Sequence, residues 1–176
     1  MKQSLPNNSE IFIPSSEFQK SVVVLLGFGS NLGDRRSFIE CGWDSVCDLL
    51  CVEAVCFSSI IETKAVGGGL NQPDFLNAAG LIRTTLSPEI LLDRLQEIEI
   101  NLGRVRTVRW GSRTLDIDIL LFDDLVINTL RLTVPHPLMF ERNFVLIPAT
   151  EIAPEMIKSA AKLRGINLDN LSLQNH

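Results

Sequence analysis

Between Leu115 and Phe122 the chain reads LDIDILLF, an alternation that suits an extended strand and no helix. At a period of two, Leu115, Ile117, Ile119 and Leu121 point to one face, and Asp116, Asp118, Leu120 and Phe122 to the other. Two carboxylates therefore emerge side by side from one end of a β-strand. Such a pair repels itself unless a cation or a proton lies between them. Hard oxygen ligands of this kind suit Mg²⁺, which binds through one or two carboxylates together with substrate phosphates. Just upstream lie Arg104, Arg106, Arg109 and Arg113, whose planar forks match phosphate oxygens. Carboxylates for a metal beside guanidiniums for phosphate make a kit for phosphoryl-group transfer.

The surrounding pattern supplies a frame for that strand. Val22 to Gly27 is a short apolar, β-branched run that reads as a buried strand. It feeds a glycine-rich stretch, Gly27 to Asp34, and Asp34 is a good N-cap for a helix over about 35–50 with Phe38, Gly42, Ser45, Val46 and Leu49 inward. The glycines miss the dinucleotide fingerprint G-x-G-x-x-G by one residue. On that motif alone, a tight strand-to-helix turn and a phosphate role are equally good readings. No G-x-x-x-x-G-K-[ST] loop occurs. Residues 52–62 and 74–83 read as strands joined through Gly67-Gly68-Gly69, which is read as a plain connection. Ser87-Pro88-Glu89 is a helix start, followed by Leu91, Leu95, Ile98 and Leu102 at helical spacing and by Gly103 as the stop. Gln96 and Glu99 share a face of that helix, and spacing alone makes them a solvated surface. A strand between Val126 and Val134 ends at Pro135-His136-Pro137, and the apolar run Val145 to Pro148 precedes a C-terminal appendage.

The order β-α-β-β-α-β is the ferredoxin-like plan: an α/β (α+β) core whose mainly antiparallel sheet carries both helices on one face. The other face is left for a ligand, a partner or further elements. Many functions use that plan, so function must come from the site.

Charge and cysteine usage narrow the class. The formal net charge is −5 over 176 residues, which argues against broad nucleic-acid binding. The cationic residues gather instead at 104, 106, 109, 113 and 131, as a small anionic ligand would require. Cys41, Cys47, Cys51 and Cys56 form no C-x-x-C pair and read as small buried hydrophobes in a reducing compartment. No apolar run is long enough to span a bilayer. Residues 1–20 contain acids and prolines without a signal peptide's apolar core. The expectation is a flexible extension over 1–20 and one cytoplasmic domain over 21–176.

Five stretches now carry a family resemblance: Gly29-Ser30-Asn31-Leu32-Gly33-Asp34, Gln72 to Ala78, Gly103 to Arg106, Arg109 to Leu120, and Leu132 to Pro137. In these, from about Val22 to Glu155, the chain resembles the 6-hydroxymethyl-7,8-dihydropterin pyrophosphokinases of folate biosynthesis. The resemblance implies transfer of the terminal diphosphate of ATP, the co-substrate, to the pterin's hydroxymethyl oxygen, with release of AMP. It implies two Mg²⁺ ions held by Asp116 and Asp118, and Arg104 and Arg113 as catalytic contacts to the transferring diphosphate. Gln96, Glu99, Arg106, Trp110, Arg113, Ile119, Arg131, Leu132, Thr133, His136 and Arg142 match positions around the nucleotide. For the pterin, Phe144 matches a stacking wall, Phe75 its edge and Asn77 the pairing amide, with backbone near Thr63, Val66 and Gly67. The Gly29 to Asp34 turn then reads as structural.

Three stretches depart from the family pattern: the arginine loop between Arg106 and Arg109 is short, Pro137 stands where some members carry an aromatic residue, and Gly67 to Leu70 is glycine-rich, implying a flexible lid over the pterin. No dihydropteroate synthase or aldolase segment follows, so a monofunctional chain is expected, acting on small molecules without nucleic acid, membrane or obligate protein partner. The rival readings are a ferredoxin-like RNA-binding module, which lacks its basic face and aromatic strand motif here, and a nucleotide-binding homologue without chemistry, which retention of both aspartates and both arginines opposes.

Overall fold

The sheet is built around β1 (Val22–Ser30), whose Val24, Leu25 and Leu26 are fully buried. It lies between β4 (Phe75–Thr84) and β5 (Asp116–Phe122), antiparallel to each. A computed structural model describes residues 20–65, 73–104 and 113–168. The second strand of the expected plan is broken in two: β2 (Val52–Phe57) and β3 (Ile61–Thr63) both pair antiparallel with β4, separated by Ser58–Ile60. The break has a local cause. The Ser58 N–H donates to the Ala79 carbonyl at 2.9 Å, but the return bond from the Ala79 N–H, at 2.8 Å, goes to the Ser58 Oγ. The sheet order β2-β4-β1-β5 is that of the ferredoxin-like plan.

Helix α1 (Arg35–Cys47) begins where Asp34 accepts from the Ser37 N–H at 3.1 Å. It stops three residues short of the expected end, and Ile39, Gly42 and Val46 form its buried stripe. Helix α2 (Pro88–Asn101) follows the sequence reading closely, with Ser87 accepting from the Ile90 N–H. Both helices cover one face, where Val24, Leu26, Phe28, Ile82, Ile117, Ile119, Leu91 and Leu95 form the larger core.

The opposite face is covered by further elements. A single 3-10 turn (Met139–Glu141), α3 (Asn143–Ile152) and α4 (Pro154–Leu163) pack on Leu25, Ala79, Leu120 and Leu121 through Met139, Leu146, Ala149 and Ile157. A two-strand hairpin, β6 (Ile127–Asn128) with β7 (Thr133–Val134), replaces the longer strand expected over 126–134. The sheet is therefore sandwiched between two helical layers.

Strict alternation along β5 fails in its second half. Leu25 of β1 faces Leu121, but the next residue, Leu26, faces Ile119, so Leu120 is an extra residue in the ladder. This bulge turns both Leu120 and Leu121 toward α3, and Phe122 joins the α1/α2 core. Leu121 and Phe122 thus exchange the faces expected for them. Asp116 and Asp118 precede the bulge and keep theirs. None of the four cysteines is buried, contrary to expectation: Cys41 and Cys51 are exposed, Cys47 and Cys56 intermediate.

Candidate active site

The layer formed by α3 does not reach the end of the sheet where β1 finishes and β5 begins, and a cleft opens there. Its floor is β1. Gly27 lies opposite Asp118 on β5 and Ala79 on β4; Gly29 lies opposite Asp116 and Asn77. The missing side chains leave an open strip between a carboxylate strand and an amide-bearing strand, about 10 Å across at two strand spacings. A Cβ built on Gly29 would stand 3.5 Å from Asn77 Oδ1 and 4.0 Å from Asp116 Cβ. The G-F-G spacing is thus a strand feature: β1 runs on to Ser30, past the expected end at Gly27, and of Gly27, Gly29 and Gly33 the last alone adopts the left-handed conformation, at φ +69°. Around the floor stand Thr63, Lys64 and Phe75 on one side, Arg113 and Leu120 on another, and Arg142, Phe144 and Val145 from the start of α3.

The carboxylate side is the more heavily charged. Asp116 receives two guanidiniums, Arg104 Nη1 at 2.6 Å on Oδ1 and Arg113 Nη1 at 2.5 Å on Oδ2. Arg104 also pairs with Glu99, which reaches across from α2 and accepts from the Ile117 N–H at 2.8 Å. Glu99 is 2% exposed, so the solvated helix face suggested by spacing does not hold for it. A buried carboxylate bound to the backbone between Asp116 and Asp118 fixes the strand and one arginine together. Burial raises the Glu99 pKa above its ordinary value, and Arg104 and the Ile117 N–H oppose that rise. Asp118 keeps a small solvent-facing edge, yet burial, and then the charges of Asp116 and Glu99, push its carboxyl up to about 7. Arg113 is anchored through its backbone: its N–H donates to Asn31 Oδ1 at 2.8 Å, and its carbonyl accepts from the Asn31 N–H at 3.2 Å.

The uncharged side is organised by Asn77, which donates from Nδ2 to Thr63 Oγ1 at 2.9 Å. That bond leaves the face of the amide set by its neighbours on β3. Phe144 forms the wall across from it, with the Arg142 guanidinium 5.6 Å from the ring centroid, within cation–π reach. His136 lies on the turn after β7. Its N–H donates to the Leu120 carbonyl at 2.9 Å, and its Nδ1 accepts from the Leu138 N–H at 3.3 Å, which leaves Nε2 as the free ring position. Burial, and then Arg142, lower its pKa from the usual 6.5.

The structure brings Thr63, Phe75, Asn77, Arg113, Asp116, Asp118, Arg142 and Phe144 to one cleft, with Arg104 and Glu99 bound to its edge through Asp116. Gln96 lies half-buried on α2 a turn before Glu99, and Thr133 half-buried on β7. Ile119 and Leu132 turn their side chains into the α1/α2 core, away from the cleft. Arg131 is exposed and pairs with Asp93 of α2 at 2.6 Å. Val66, Gly67, Arg106, Arg109 and Trp110 lie outside the described residues, as does the extension over 1–19. Gly27, Gly29 and Lys64 line the cleft without having been expected there as ligand-facing residues. For the glycines, period-two spacing in an apolar run was the available signal.

A family model described as 7,8-dihydro-6-hydroxymethylpterin-pyrophosphokinase (HPPK) matches residues 25–154. The chain is 45% identical over 138 residues to the 2-amino-4-hydroxy-6-hydroxymethyldihydropteridine pyrophosphokinase of Bacillus subtilis, covering 78% of this chain and 82% of that protein. The protein of the same name from Haemophilus influenzae is 41% identical over 136 residues, covering 77% and 84%. Among solved structures, an HPPK-DHPS in complex with substrates matches with a TM-score of 0.59 at 15% identity, over 77% of this chain and 41% of that one. HPPK-DHPS of Plasmodium falciparum with pteroate also gives 0.59, at 13% identity, over 88% of this chain and 46% of that one. This chain thus spans less than half the length of those two structures, and at such identity their likeness bears on the fold alone.

Proposed function

The chain belongs to the 7,8-dihydro-6-hydroxymethylpterin-pyrophosphokinase family, and from that premise we propose that it transfers the terminal diphosphate of ATP to 6-hydroxymethyl-7,8-dihydropterin in folate biosynthesis. The hydroxymethyl oxygen bonds to the β-phosphorus, the bond from that phosphorus to the α,β-bridging oxygen breaks, AMP departs with that oxygen, and the hydroxyl proton is released. The observation that carries this reading is the pairing across Gly29: Asp116 on one side and Asn77 on the other, in a single cleft. Phosphate chemistry and heterocycle recognition are thereby set side by side.

On the phosphate side, Arg104 and Arg113 both grip Asp116 through one nitrogen. Each guanidinium retains further N–H donors for the oxygens of the transferring diphosphate. Glu99 and Asn31 hold these two arginines and the strand between them in place, so that little reorganisation is needed as charge develops. Asp116 and Asp118 suit Mg²⁺: two hard carboxylates on one face, the second with its pKa raised by burial and then by neighbouring negative charge, gain from a divalent cation. Bound there, two Mg²⁺ ions would supply neutralisation of the triphosphate and its departing AMP. Arg142, Arg131, His136, Gln96 and Thr133 are the described residues we assign to the nucleotide, with Ile119 and Leu132 offering backbone only. Arg106 and Trp110 complete that set on the family pattern.

On the acceptor side, a flat polar bicycle needs an aromatic face and a few fixed hydrogen bonds. Phe144 and Phe75 supply the first; Asn77, Thr63 and the backbone near Val66 and Gly67 supply the second. The catalytic unit in this reading is 21–176, one sheet covered on both faces. Net charge −5 and four free thiols support action on small molecules alone in the reducing cytoplasm. The test is incubation with ATP, Mg²⁺ and the reduced hydroxymethylpterin. AMP formation dependent on the pterin is expected; ADP in its place, or no turnover under conditions where a pyrophosphokinase control is active, would sink the reading.

A further inference from the structure

Arg35 occupies the first turn of α1, yet its guanidinium leaves the helix and reaches the strands that carry the acceptor-side residues. A single nitrogen, Nη1, donates to Glu62 Oε1 at 2.8 Å and to the backbone carbonyl of Asp74 at 2.7 Å. Glu62 immediately precedes Thr63 on β3, and Asp74 immediately precedes Phe75 on β4. Thr63 and Phe75 are themselves register partners, and Ile61 pairs with Asn77 two residues along. A second ion pair reaches Asp74 from the other side of Thr63: Lys64 Nζ lies 2.8 Å from Asp74 Oδ2. Thr63, Phe75 and the Asn77 amide are thus spaced by a cation that belongs to neither strand.

We propose that Arg35 is a positioning residue for acceptor recognition: by holding Glu62 and Asp74 together it sets the separation of Thr63 and Phe75, and with it the wall against which the pterin lies. This rests on the reading of the cleft as a pyrophosphokinase site. The Arg35–Glu62 pair adds little to folding, because the Glu62 side chain is 55% exposed and exposed ion pairs contribute little. Placement is what it supplies, and a shift of about 1 Å in a positioned group costs up to about a hundredfold in rate. The phosphate side is fastened separately, by Glu99 on Arg104 and by Asn31 on Arg113. Loss of Arg35 should therefore act on one substrate and spare the other.

The experiment measures AMP formation with ATP and 6-hydroxymethyl-7,8-dihydropterin varied in turn, alongside thermal melts, for Arg35→Met, Arg35→Lys and Glu62→Ala. Arg35→Met keeps the aliphatic stem and removes the donors. Its KM for the pterin should rise about tenfold while kcat and the KM for ATP stay within about twofold. Arg35→Lys, which retains a donor and the charge, should recover part of that loss, to within about threefold of the unaltered enzyme. An unchanged pterin KM in Arg35→Met, or equal rises in both KM values, overturns the inference. Should Arg35→Met fail to fold, Glu62→Ala carries the test alone, because it removes the acceptor from an exposed side chain: a raised pterin KM supports the inference and an unchanged one overturns it. Unaltered protein that forms no AMP overturns the pyrophosphokinase reading and this inference with it, whereas AMP formation with an unchanged pterin KM overturns this inference only.

Discussion

Replacing Asp118 by Asn should make the metal-free protein more stable and the enzyme nearly inactive. Burial, Asp116 and Glu99 lift the Asp118 carboxyl from 3.8 to about 7. A carboxyl raised on folding favours the folded state in its protonated form, so the stability it contributes is complete below pH 3.8 and is lost as pH climbs through about 7. At 1.36 kcal/mol per pH unit, keeping that group ionised at pH 8 costs at most about 4 kcal/mol. An effective dielectric nearer 20 than 4, and the solvent-facing edge of the group, reduce this to about 1–3 kcal/mol. Asn keeps the size and removes the charge, so Asp118→Asn should gain about 1–3 kcal/mol at pH 8 and less than about 1 kcal/mol at pH 4. Urea denaturation in EDTA at the two pH values measures this directly. Added Mg²⁺ should stabilise the unaltered protein and leave the variant unmoved, and AMP formation should fall by at least about a hundredfold. A variant that is less stable at pH 8, or whose gain is the same at pH 4 and pH 8, refutes the burial and charge crowding described for Asp118.

Three other perturbations probe different parts of the cleft. Gly29→Ala places a methyl in ordinary contact, 3.5 Å from Asn77 Oδ1, and should leave melting unchanged; the branched Gly29→Val should keep the fold while raising the KM of both substrates by about tenfold or more. Glu99→Ala leaves the Ile117 N–H without its acceptor and Arg104 with Asp116 alone, which should cost about 1–3 kcal/mol in urea denaturation, with Glu99→Gln losing less. The His136 imidazole should titrate by NMR with a midpoint below 6.5, and Arg142→Ala should raise that midpoint; its stabilising contribution is lost as pH falls below 6.5, and a midpoint above that value contradicts the burial described.

Local signals were legible in the chain where the physics is local. The Ser87-Pro88-Glu89 start and the Leu91, Leu95, Ile98 stripe need only one helix to define them, and both appear as read. The strand carrying Asp116 and Asp118 was equally legible, because alternation holds up to Ile119. The bulge at Leu120 was not, since it exists only in the register against β1 and no single-strand pattern carries it. Gly27 and Gly29 illustrate the same limit from the other side. Their use as an open floor depends on which strands flank β1, whereas the motif suggested a turn or a phosphate loop. Glu99 looked like surface because helical spacing cannot show that Ile117 and Arg104 lie beneath it. The division of residues between nucleotide and pterin came from the family resemblance. The geometry adds that both groups converge on β1, from opposite neighbours.

Movement of both phosphates together from ATP to the pterin separates this reaction from single phosphoryl transfer. Phosphorus NMR of a reaction containing the protein, ATP, Mg²⁺ and 6-hydroxymethyl-7,8-dihydropterin tests it most directly. Diphosphate transfer gives a pair of mutually coupled resonances from a pterin-bound diphosphate, growing in step with AMP. A single pterin monophosphate resonance accompanied by ADP would contradict it.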